Sequence, residues 1–159
     1  DPEIIYGFGF SAGHKSLDFS CFFQGSARSS FWIDPVATSP FVDNRQLLKA
    51  YADSHWSEEY QDIYALWPRL SATNIANNTQ RNTWFMRNGA FLRLKSVEIG
   101  YTLPVTVTKR VGLDNARFYV NGTNLFCLSR FKLWDIEMGG NGLGYPIQKS
   151  YNFGITVSF

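Results

Sequence analysis

Residues 6–13 read YGFGFSAG, with an aromatic or alanine at every even position and glycine or serine at every odd one. A period of two marks a strand whose two faces meet different surroundings. The same alternation closes the chain in SYNFGITVSF. Tyr151, Phe153, Ile155, Val157 and Phe159 fall on one face, and Ser150, Asn152, Gly154, Thr156 and Ser158 on the other. The last residues of a soluble domain usually fray into water. An alternation kept up to Phe159 therefore carries the expectation that the final residue is held by something.

Three more segments carry the pattern. Residues 4–14 and 17–24 are separated only by Lys15 and Ser16 and read as a hairpin. In residues 90–103, AFLRLKSVEIGYTL, Leu92 and Leu94 share one parity whereas Val97, Ile99, Tyr101 and Leu103 share the other, so a β-bulge near Lys95 and Ser96 is expected to restore one apolar face. Residues 116–128 keep Ala116, Phe118, Val120, Phe126 and Leu128 in one parity. Composition agrees with an all-β fold: aromatics are 17% of the chain, charged residues only 18%, and there are 13 glycines.

The connections alternate short and long. Between residues 25 and 90 lie Asp34-Pro35, Ser39-Pro40 and Trp67-Pro68 breaks and an Asn-rich patch. One helix is expected there over residues 43–52, capped by Asp43 or Asn44 with Leu47, Leu48 and Tyr51 on one side. A second long loop covers residues 130–149. With antiparallel strands, both long connections fall at one end and both short ones at the other, as in outer-membrane barrels. No apolar run approaches the length of a membrane helix, but a membrane β-strand needs only about nine to eleven alternating residues. Five strands are too few to close a barrel, so the chain is expected to be a slice of a larger one.

Candidate chemistry is sparse. Lys and Arg number 15 against 13 acidic residues, scattered without a run, so no nucleic-acid partner is expected. Cys21 and Cys127 lie far apart and read as apolar fillers. Asp53, Glu58, Glu59 and Asp62 lack a calcium-loop pattern and read as a solvated surface. Residues 139–144, GGNGLG, lack the Lys-Ser or Lys-Thr of a phosphate loop. His14 and His55 sit in different elements. No catalytic constellation, metal site or cofactor is expected.

The ordered blocks YALWPRLS, NNTQRNTWFMRNGAFLRLKSVEIGYTLP, ARFYVNGTNLFCLSRFK and WDIEMGGNGLGYPIQKSYNFGITVSF, with YGFGFSAGHKSLDFSCFFQG upstream, resemble the C-terminal region of SusC/RagA-family TonB-dependent outer-membrane receptors. The resemblance implies an all-β antiparallel transmembrane barrel of about twenty-two strands. Residues 1–159 would be its C-terminal part, the last five strands with long extracellular loops, the plug and earlier strands lying outside this sequence. It implies a bacterial outer-membrane location and import of oligosaccharides or peptides. The implied partners are a SusD-like surface lipoprotein, the TonB complex through the absent N-terminal region, and outer-membrane lipid. Asn152, Gly154, Val157 and Phe159 then match the signal read by the barrel-assembly machinery. Trp84 suits an interfacial aromatic girdle, and Trp32, Trp56, Trp67 and Trp134 are candidate loop contacts to substrate or lid, weighed against packing within the loops. On the strands, Tyr6, Phe8, Phe10, Phe118, Phe153, Ile155 and Val157 are expected to face lipid, and Ser11, Asp18, Ser20, Gln24, Asn121, Asn152 and Thr156 the lumen. Two other readings stay open: a soluble β-sandwich that binds glycans through loop aromatics, and a siderophore-type TonB-dependent receptor.

Overall fold

The computed structural model describes residues 2–159. Its strands in chain order are β1 (Ile4–His14), β2 (Leu17–Ala27), β3 (Ser30–Trp32), β4 (Met86–Asn88), β5 (Phe91–Thr102), β6 (Asn115–Thr123), β7 (Cys127–Ser129) and β8 (Ser150–Ser158). The helices are two short pieces, α1 (Lys49–Asp53) and α2 (Val105–Thr108), beside a few 3-10 turns. The fold is all-β, and the chain divides into two compact units.

The first unit is an antiparallel sheet in the order β1-β2-β5-β6-β8, with β7 also paired to β5. β1 and β8 are its edges among the described residues, so the sheet is open. Its register keeps the two parities apart. Phe8 lies opposite Phe23 and Phe10 opposite Cys21; Cys21 in turn lies opposite Val97, and Phe19 opposite Ile99. Ile99 then faces Val120, Tyr101 faces Phe118, and β8 continues the row with Phe153 beside Val120 and Ile155 beside Phe118. The other surface carries Ser11 with Ser20, Ser20 with Glu98, Glu98 with Asn121, and Asn121 with Asn152. The two residue sets expected on opposite surfaces do not mix.

The bulge falls where the parity change requires it. Phe22 pairs with Ser96 and Phe23 with Leu94, so Lys95 has no partner on β2 and the apolar face passes from Val97 to Leu94 without a break. The strand expected over residues 116–128 is divided by the same irregularity. Asn124 takes a positive φ of 53°, which asparagine tolerates, and its N–H donates to the Lys95 carbonyl at 3.0 Å. β7 then resumes the ladder with Leu128 opposite Leu92. Of the apolar face, Tyr6 is half-buried and sends its hydroxyl to the Phe91 carbonyl at 3.0 Å. Its neighbours Phe8, Phe10, Ile99, Phe118, Phe153 and Ile155 are exposed. A row of large exposed apolar side chains on this scale marks a surface meant for something other than water.

The second unit gathers Arg28–Gly89 and Arg130–Pro146, the two long connections, around a core of its own. β3 pairs with β4, a ladder with no alternation long enough to announce it. Beyond it the Ile33 N–H reaches the Phe85 carbonyl and the Asp34 N–H the Gly140 carbonyl, both at 2.9 Å, which ties the two segments together. Ile33, Tyr51, Ala65, Trp67 and Phe85 are buried, with Trp67 stacked on Tyr51 at 4.9 Å and 5.4 Å from Phe85. A second cluster sets Phe131 edge-on to both Phe31 at 5.1 Å and Trp134 at 5.0 Å.

The helix expected over residues 43–52 is corrected to a single turn, Val42–Asn44, followed by α1 alone. Asp43 and Asn44 adopt φ of 52° and 61°, and Arg45 is extended. Two successive left-handed residues cannot begin a right-handed helix, so α1 starts later, at Lys49, with Leu48 at its N-cap and no side-chain cap.

Two outcomes follow for the intact protein. Trp67→Ala should cost the loop unit about 3–5 kcal/mol, seen as lost hydrogen-exchange protection at Ile33, Tyr51 and Phe85 with the amides of β5 and β6 unchanged. Deleting Lys95 should remove the bulge and leave Leu92 and Leu94 on the apolar surface in regular alternation with Val97, because Lys95 is the residue that β2 does not pair. The amount of folded protein should then fall far less than on deleting Arg93, which β2 does pair, because that deletion would move Leu92 to the polar surface.

Candidate functional site

The polar surface of the sheet holds a charged cluster assembled from three strands. Arg117 on β6 donates through Nε to Asp18 Oδ2 at 3.1 Å, through Nη2 to Asp18 Oδ1, and through Nη2 to Glu98 Oε1 at 2.7 Å. The guanidinium also lies 5.3 Å from the Tyr119 ring centroid, within cation–π range. Gly100 makes the cluster sterically feasible, because a Cβ there would run into both the Arg117 guanidinium and the Asp18 carboxylate. Asp18 was among the residues expected to face the lumen, whereas Glu98 and Arg117 were not singled out. Their shared parity was visible; their meeting depends on register, since Asp18 and Arg117 are 99 positions apart.

β8 continues this surface. Asn152 donates through Nδ2 to Asn121 Oδ1 at 2.8 Å. Gly154 sits beneath the Tyr119 ring, where any Cβ would collide with it. Of the residues matching the assembly pattern, Asn152 and Gly154 thus lie on the polar surface, each against a β6 neighbour. Val157 is exposed beside Ala116 on the apolar surface, and Phe159, just past β8, is almost fully exposed.

The five tryptophans all belong to the loop unit but do different work. Trp67 is buried, 3% exposed between Tyr51 and Phe85. Its candidacy as a contact to substrate or lid is therefore corrected to that of a packing anchor. Trp32 is the most open to solvent, with the Arg81 guanidinium 5.7 Å from its ring centroid. Trp134 is half-buried, held by Nε1–H donating to the Gly139 carbonyl at 2.8 Å, and it borders a cleft of about 420 Å³ with Leu48, Leu133 and Leu143. Trp56 and Trp84 line a shallower cleft of about 280 Å³ with Arg69, Asn77, Asn78 and Asn82. Trp84 Nε1 is enclosed and has no hydrogen-bond partner, whereas a girdle tryptophan keeps that N–H at the headgroup level.

Burial pushes the Tyr51 hydroxyl above the usual tyrosine range. No group of three His, Cys, Asp or Glu side chains placed to hold a metal occurs among the described residues. His55 Nδ1 is occupied by the Tyr51 and Ala52 carbonyls, and Cys21 and Cys127, on different strands, are not joined in a disulfide.

The charged cluster predicts an order of severity. Arg117→Met leaves two carboxylates facing each other without a cation and should lower the temperature at which the intact protein loses its folded mobility in detergent gels. The triple change Asp18→Asn, Glu98→Gln, Arg117→Met should be milder, because no charge is left unpaired.

No family model matches the chain. TonB-dependent receptor P26 of Formosa agariphila is 31% identical over 175 aligned residues, which cover 99% of this chain and 17% of that receptor. TonB-dependent receptor P3 of the same organism is 23% identical, over 99% of this chain and 16% of its own length. Among solved structures, the RagAB peptide importer in its open-open state superposes with a TM-score of 0.72 at 27% identity, over 100% of this chain and 17% of the other. The closed-closed state gives 0.74 at the same identity and coverage. The chain thus spans about a sixth of the length of the proteins it matches. Aligned from end to end with these proteins in sequence and in fold, it is a segment of a SusC/RagA-like TonB-dependent receptor.

Proposed function

We propose that the whole protein is an outer-membrane, TonB-dependent importer of SusC type, which takes up oligosaccharides or peptides beneath a SusD-like surface lipoprotein. In that reading this chain supplies the C-terminal strands of a barrel of about twenty-two. The observation that carries the reading is the separation of the sheet into one continuous apolar surface and one polar surface across all five paired strands. A barrel wall needs that division, since one side meets hydrocarbon and the other a watery lumen. Phe8, Phe10, Phe118, Phe153 and Ile155 would meet lipid; the Asp18–Arg117–Glu98 cluster, Tyr119 and the Asn121–Asn152 pair would line the interior. The open edges at β1 and β8 would be closed by strands outside this sequence, which lipid demands of every backbone group.

A soluble sandwich would bury the apolar surface beneath a second sheet. Among the described residues the only other sheet is the small β3–β4 ladder. The RagAB neighbours are peptide importers, which favours the lidded class over a siderophore receptor. The loop unit would be extracellular, with Trp32, Trp56 and Trp134 offered to substrate or lid.

Two measurements test this. Affinity purification of the intact receptor from outer membranes should co-purify a SusD-like lipoprotein; recovery of the receptor in the soluble fraction, or without a lipoprotein, would count against the reading. For the assembly pattern, Phe159→Ala should lower the amount of folded receptor severalfold. Gly154→Ala should do the same, and Tyr119→Ser should restore it in part by clearing the space above residue 154. Failure of that rescue would leave Gly154 explained by machinery recognition rather than by packing.

A further inference from the structure

The loop unit contains a cleft of about 300 Å³ whose charge is one-sided. Its apolar wall is Leu66, Phe131 and Leu133, and its polar wall includes Arg87, Arg130 and Lys132. Arg87 is fixed in place, donating to the carbonyls of Trp84 at 2.6 Å and Met86 at 2.8 Å. These are neutral acceptors. Burial pulls its pKa below the usual arginine range, and no carboxylate offsets that. Arg130 and Lys132 are exposed, on either side of the buried Phe131, and neither has an acidic partner among the described residues. Three other cations of the unit are paired with carboxylates, Arg45 with Asp43, Lys49 with Asp53 and Arg69 with Glu58, and Arg81 lies over the Trp32 ring. Three cations thus line one partly apolar cleft whose lining residues include no carboxylate, which gives it a positive potential.

From this we infer that the cleft is a subsite for a ligand carboxylate carried next to an apolar group, the chemistry of a free peptide C-terminus ending in an apolar residue. The inference rests on the importer reading and selects peptides from its two substrate classes. Leu66, Phe131 and Leu133 receive the terminal side chain. Arg130 and Lys132 close on the carboxylate, and the fixed Arg87 charge biases the cleft toward anions before any ligand arrives. A neutral sugar ring would bring no charge to meet these cations, so the charge argues against it as the occupant.

The test uses the intact receptor in detergent, and the tetrapeptide Ala-Ala-Ala-Leu as the free acid and as the C-terminal amide, with affinities read by calorimetry. The wild type should bind the acid about tenfold more tightly than the amide. The double variant Arg130→Gln, Lys132→Gln, at two exposed positions, should lose that preference while its affinity for the amide stays the same. Equal binding of acid and amide by the wild type, or an undiminished preference in the double variant, would overturn the subsite and leave the importer reading intact. Tri-galacturonate binding that the double variant loses, with no peptide binding, would overturn the peptide assignment in favour of an acidic sugar. A receptor that binds neither peptides nor oligosaccharides would instead remove the importer reading itself.

Discussion

In a sheet whose side chains alternate between two unlike surroundings, pairing register is the constraint on which the rest depends, because a slip of one residue exchanges the two faces. This sheet meets that constraint across five strands drawn from positions as far apart as Ile4 and Ser158. The vulnerable place is β5, whose sequence changes parity at Lys95. The chain absorbs the change by leaving Lys95 out of the β2 ladder and offering its carbonyl to Asn124, where the neighbouring strand is also interrupted. Two irregularities set opposite one another preserve the separation that either alone would break. The charged cluster depends on the same register, since Asp18, Glu98 and Arg117 meet only if β2, β5 and β6 stay aligned. So does the fit of Tyr119 over Gly154.

The second unit is held by a different principle. Both long connections leave the sheet at the end marked by Ala27, Phe91, Ser129 and Ser150, and instead of remaining separate loops they share a core. Aromatic rings dominate it because a few large side chains remove much apolar area from water in a segment with little regular secondary structure. Trp67, between Tyr51 and Phe85, is the central member. A loop unit with its own core can present fixed clefts to solvent, and fixed clefts can discriminate between ligands in a way that mobile loops cannot.

How much of this was legible in the sequence follows from how local each feature is. The starts of all five long strands fall within a residue of where alternation places them, since parity is written in the side chains themselves. The bulge at Lys95 was legible for the same reason. The helix over residues 43–52 was misread because its spacing is helical while Asp43 and Asn44 take left-handed backbone conformations, which composition does not reveal. The β3–β4 ladder is three residues long on each side, too short to show a period. Trp67 could not be told from the exposed tryptophans, because burial by Tyr51 and Phe85 is a contact between distant positions. The Arg117 cluster and the cationic cleft were hidden likewise: Arg87 lies far in sequence from Arg130 and Lys132, and only the folded loop unit brings them to one wall.

The central claim is that the two surfaces of this sheet face lipid and water. Site-directed spin labelling along residues 150–158 of the intact receptor in bilayers, with Cys21 and Cys127 replaced by serine, tests it most directly. Labels at 151, 153, 155 and 157 should relax with oxygen, which concentrates in hydrocarbon, and those at 150, 152, 154 and 156 with a water-soluble nickel chelate, in strict alternation. Equal access to both reagents, or alternation in the opposite phase, would contradict the account.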